Sequence, residues 1–114
     1  TIAATIDTIA TLKNIRNIST ASGLVVSIIS ISSSQTLGNT ANTEYVYLVS
    51  GLTTVTLPSA ASNTNIYHIK RIGTSTITLN TTGGATIDGV ASKNINGQYQ
   101  SYTLVSDGTN WFIL

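Results

Sequence analysis

The sequence predicts an all-β protein, a sandwich or barrel of eight or nine short strands. Three observations predict it. First, β-branched residues dominate, with 20 Thr and 15 Ile among 114 residues, and such side chains suit a pleated surface better than a helix. Second, strong helix formers are scarce. Charged residues make up 8% of the chain, against about 25% in an ordinary soluble domain, and Met is absent. Third, turn signals recur at intervals of about 8–12 residues.

The N-terminal segment is the exception. Ile2, Ile6, Ile9, Leu12, Ile15 and Ile18 follow a step of four and then steps of three. Ile2, Ile6 and Ile9 share a helical face, but a strict step of three drifts around the helix. A heptad seam would next meet Lys13 and Arg16. Residues 1–22 are therefore expected to form a short helical or extended stem. Ile at both seam positions favours three or more chains over two, so Ile2, Ile6 and Ile9 are expected at a trimer interface. Residues 19–23 (STASG) break the stem, and residues 23–114 form the head.

Residues 24–31 are apolar on both faces, as in a strand buried on two sides. Residues 35–43 (QTLGNTANT) read as a polar loop. In residues 44–50 (EYVYLVS), Tyr45, Tyr47 and Val49 share one face and Val46 and Leu48 the other. Gly51 begins a turn. Residues 53–57 point Val55 and Leu57 inward and stop at Pro58, the only proline, which a strand end tolerates. Residues 59–65 form a small polar loop. Residues 66–72 set Ile66, His68 and Lys70 against Tyr67, Ile69 and Arg71. Residues 76–80 point Ile77 and Leu79 inward, and TTGG at 81–84 turns the chain. Strands follow at 85–88, 90–96 and 98–106. Asp107-Gly108 is the strongest hairpin dipeptide, and residues 110–114 form the last strand. Leu48-Val49-Ser50-Gly51 recurs as Leu104-Val105-Ser106-Asp107-Gly108. The echo reads as two hairpins with similar turns and not as a solenoid repeat, which needs three or more units.

Composition excludes several functions. A net charge of +1 offers no basic field for nucleic acid. No apolar run approaches the roughly 18 residues that insertion in a membrane needs. With zero Cys there is neither a disulfide nor a thiolate site. Asp88 and Asp107 each precede Gly, where a short acid bonds the turn backbone. No G-x-S-x-G elbow accompanies His68, and no P-loop lysine follows the glycines. A single His supplies too few ligands for a metal site. Three chains on an axis would bring three, but Lys70 on the same face opposes that. The expectation is no catalytic, cofactor-binding or metal-ligating residues.

The phrases EYVYLVSG, TVTLP, NIYHIKRIG, STITLN, ATIDG and YTLVSDGTNWFIL succeed one another from residue 44 to the end. Their order and spacing resemble the C-terminal domains of bacteriophage tail fibres and related receptor-binding proteins. The resemblance implies an antiparallel β-sandwich head, jelly-roll-like, in a homotrimer at the virion's fibre tip. An upstream shaft, an extracellular setting and a binding role without catalysis are also implied. His68, Lys70 and Arg71 depart from the more neutral strand usual there.

The residues point the same way. Strands apolar on both faces have more apolar surface than one sandwich core uses, which calls for a partner surface. Trp111 and Phe112 lie on opposite faces of the last strand, so at least one meets something beyond the monomer's core; Trp111 joins the expected trimer interface. Neutral hydroxyls and amides in loops suit a cell-surface polysaccharide or protein receptor. Thr81, Thr82, Asp107, Asn110 and His68 are the candidate contacts. The alternative is a structural unit that trimerises and caps a fibre without touching a receptor.

Overall fold

The computed structural model describes residues 25–51 and 53–114. The stem isoleucines Ile2, Ile6 and Ile9 lie outside the described residues. The described residues are all-β, with nine strands: β1 (Val25–Ile31), β2 (Gln35–Thr36), β3 (Thr43–Val49), β4 (Thr53–Thr56), β5 (Ile66–Arg71), β6 (Ile77–Asn80), β7 (Lys93–Ile95), β8 (Ser101–Ser106) and β9 (Trp111–Ile113). No helix among the described residues is long and apolar enough to cross a membrane.

The strands form two mixed sheets, ordered β1-β3-β5-β8-β9 and β2-β4-β6-β7. Here the structure corrects the expected antiparallel pairing. β1, β3 and β5 are parallel to one another, as are β2, β4 and β6. Only β7, β8 and β9 pair antiparallel. The chain runs through one strand of each sheet in turn, β1 to β2, β3 to β4 and β5 to β6, so three coils stack. Val25 pairs with Thr43 and Glu44 with Ile66, offsets of 18 and 22 residues.

The reason lies in the turns. Ser50-Gly51 does not reverse the chain within its sheet; it sends it across to β4. Gly51 takes a positive φ of 81°. Gly73 occupies the matching turn one coil later, and a Cβ there would lie 3.1 Å from the Gly51 amide nitrogen. Turn stacks on turn only because no side chain intervenes. By contrast, Asp107-Gly108 does close a hairpin between β8 and β9, as its sequence predicts.

Inward faces follow the predicted alternation. Tyr45, Tyr47 and Val49, Val55 and Leu57, Tyr67 and Ile69, and Ile77 and Leu79 are all buried in one core between the sheets. In-register parallel pairing sets Tyr45 beside Tyr67, and their rings stack at 5.1 Å and 10°. Burying side chains of this size contributes roughly 2 kcal/mol each.

Two expectations change here. β1 is not buried on both sides within the described chain: Val26 is 57% and Ile28 69% exposed. Trp111, expected at the trimer interface, is 0% exposed and belongs to the chain's own core. It meets Tyr67 edge-on at 5.3 Å. Its backbone is clamped by the 86–88 segment, with Trp111 N–H donating to Thr86 O and Asp88 N–H to Trp111 O. Phe112, on the other face, is 41% exposed.

Candidate functional site

The outer face of the five-stranded sheet is unusual for a solvent-facing surface. Register places Ile28, Val46, His68 and Thr103 in one row. Val26, Glu44 and Ile66 form a second, and Ser30, Leu48, Lys70 and Ser101 a third. Val105 and Phe112 extend the face across β8 and β9. Apolar side chains thus run through every strand.

One polar line crosses this face. His68 Nε2 lies 2.6 Å from Glu44 Oε2, and Nδ1 lies 2.9 Å from Thr103 Oγ1. In the neutral ring, Nε2–H donates to the carboxylate and Nδ1 accepts the threonine hydroxyl proton. The order hydroxyl, imidazole, carboxylate is that of a hydrolytic triad. In the structure the line ties β3, β5 and β8 together and satisfies both ring nitrogens. It leaves His68 no free nitrogen for a metal, and among the described residues no cluster of three metal-ligating groups exists.

The outer face of the four-stranded sheet differs. Thr54, Thr78 and Asn94 form one row, and Thr56 and Asn80 another. Every one of these side chains is a hydroxyl or an amide.

Side-chain bonds tie the polar loops to the body of the fold, and residues 35–43 to residues 59–65. Asn63 Nδ2 donates to Asn39 Oδ1 at 2.9 Å, Thr82 Oγ1 to Leu57 O at 2.7 Å, and Ser106 Oγ to Ala60 O at 2.6 Å. Asn110 Oδ1 accepts from Thr86 N at 2.9 Å. These bonds also show what the candidate contacts do. Thr81 Oγ1 donates to Ala85 O at 2.6 Å. Asp107 Oδ1 accepts from the N–H groups of Thr109 and Asn110 at 2.9 and 2.8 Å, which hold its carboxyl below the ordinary 3.8. Thr81, Thr82, Asp107, Asn110 and His68 thus each hold the fold, whatever else they touch.

Tyrosine hydroxyls anchor the first of these loops. Tyr47 OH accepts from Gly38 N at 2.8 Å and Tyr45 OH from Thr40 N at 2.9 Å. Tyr67 OH donates to Gly38 O at 2.6 Å and accepts from Asn63 and Asn65. Burial pushes the Tyr47 and Tyr67 hydroxyls above the ordinary 10.0, partly opposed by the bonds they accept.

The chain matches no protein-family model, and no curated protein or solved structure is significantly similar to it. The tail-fibre resemblance accordingly rests on the six phrases alone.

One site escaped the sequence reading. A groove of about 440 Å³ beside edge strand β7 is lined by Val90, Ser92, Lys93, Asn94, Asn96 and Tyr102. Five of its six residues come from the 90–96 segment, and Tyr102 joins them from β8 in the other sheet. The only local signal was a lysine among amides in residues 92–96 (SKNIN).

Proposed function

We propose that this chain is the trimeric, non-catalytic receptor-binding head of a phage tail fibre, exposed at the virion tip and continuous with a fibre shaft upstream. It binds a cell-surface polysaccharide or protein and neither nucleic acid nor membrane. The supporting observation is the contrast between the two outer faces. Apolar side chains run through all five strands of the five-stranded face, across roughly 20 Å, and its Glu44 and His68 are paired with each other while Lys70 stands in the next row. A self-paired charge costs less to desolvate than an isolated one. A second and third copy of the chain are the natural cover for such a face, since homo-oligomers close by rotation. The opposite face and the loops keep the hydroxyls and amides that suit neutral glycans, and three weak sites on one trimer add avidity.

The second reading is a capping and trimerisation unit without receptor contact. It is favoured by the internal bonds of Thr81, Thr82, Asp107 and Asn110. Adhesion of the purified chain to bacterial cells separates the two. Binding that blocks infection supports the receptor role, and a trimer that neither binds nor blocks supports the cap.

A further inference from the structure

The groove beside β7 combines three features. The first is charge. Lys93 pairs across the sheet with Leu79 and shares its side of β7 with buried Ile95. Lys93 is half-buried at the core margin and lines the groove. Arg71 lies behind β7, donating to Ile95 O at 3.3 Å and to Gly73 O at 3.0 Å. Among the described residues neither cation meets a carboxylate. Glu44 is held by His68, Asp88 Oδ1 accepts from Ile113 N, and Asp107 caps its turn.

The second feature is a set of directed neutral groups. Tyr102 crosses from β8 and donates its hydroxyl to Asn94 O at 3.2 Å. In an antiparallel strand the N–H and C=O of one residue point the same way. The Asn94 backbone N–H thus faces outward from the free edge of β7, beside the side chains of Asn94, Asn96 and Ser92. The third feature is the apolar floor offered by the Tyr102 ring and Val90, which is 46% exposed.

We infer that this groove binds a saccharide bearing a carboxylate, such as a uronic acid. Lys93 pairs with the carboxylate, Asn94, Asn96 and Ser92 bond the ring hydroxyls, and the Tyr102 ring lies against the sugar's C–H face. The inference rests on the adhesion reading and names its ligand class.

The test is titration of the whole chain with trigalacturonate, with neutral galactotriose and with inorganic phosphate, followed by amide NMR shifts. Trigalacturonate should move the signals of residues 92–96, and Lys93→Gln should weaken binding about tenfold. Unmoved signals, equal affinity in Lys93→Gln, equal binding of galactotriose, or the same shifts from phosphate alone would each overturn the inference. If the signals stay still while the chain adheres to bacterial cells, the groove fails and the adhesion reading stands. If it also adheres to no cells, both fail.

Discussion

The two sheets share one core yet differ on their outer faces. The five-stranded sheet presents Val26, Ile28, Val46, Leu48, Ile66, Val105 and Phe112, broken by the Glu44–His68–Thr103 line and by Ser30, Lys70 and Ser101. The four-stranded sheet presents Thr54, Thr56, Thr78, Asn80 and Asn94. Both are built from β-branched strands, so strand propensity does not explain the contrast. Burial does: a Thr keeps strand geometry while hydrogen-bonding water, whereas Val and Ile lose stability when left wet. The difference supports the proposed division, in which one face takes a protein partner and the other stays with solvent or ligand.

The sharpest way to break this comparison is to set Trp111 against Phe112, adjacent residues on opposite faces of β9. Trp111→Ala removes a fully buried side chain and should cost about 3–5 kcal/mol in urea unfolding. Phe112→Ala should leave the unfolding of the single chain within about 0.5 kcal/mol and instead raise the concentration range over which chains associate. Equal losses in both would erase the distinction between faces.

Next in size is Gly38→Ala. A Cβ there would lie 2.8 Å from Tyr45 Oη and 2.9 Å from its ring carbons. The tyrosine-anchored loop must shift, at a cost of about 1–3 kcal/mol, read as a lower Tm. A smaller effect is pH dependence. Tyr47 and Tyr67 keep their protons in the folded state above the ordinary 10.0. Their contribution is complete below that pH and declines as the pH rises past it, because the unfolded chain ionises first. Denaturant midpoints should therefore fall above pH 10, and Tyr67→Phe should flatten the fall. The smallest effect belongs to the four-stranded face, where Thr78→Ala should change stability by less than about 0.5 kcal/mol.

Much of this was legible in the sequence, because strand position and facing depend on local alternation. The inward choice of Val55, Leu57, Ile77 and Leu79 needs only a period of two. Pairing direction was not legible in the same way. Ser50-Gly51 and Asp107-Gly108 look alike, yet one crosses between sheets and the other closes a hairpin. The signal that separates them is long-range. EYVYLVSG and IYHIKRIG align at an offset of 22 residues, and Gly51 and Gly73 stack. A two-phrase match of differing side chains reads weakly as a repeat, and the 18-residue offset of the first coil hides it further. Trp111 was misplaced for a related reason. Alternation shows that Trp111 and Phe112 face apart but not which one faces inward, and the answer comes from the distant Tyr67, which meets the indole edge-on in the core. The β7 groove was illegible because Tyr102 and Asn94 meet only through the stacked sheets.

The central claim is that the five-stranded outer face is covered by further copies of this chain. Sedimentation equilibrium at micromolar concentration tests it most directly, comparing the chain with Ile28→Lys. Ile28 is 69% exposed, so the substitution spares the core. The account predicts a mass of three 11.9-kDa chains for the parent and of one for Ile28→Lys, with both folded by circular dichroism. A parent chain that sediments as a single copy would contradict it.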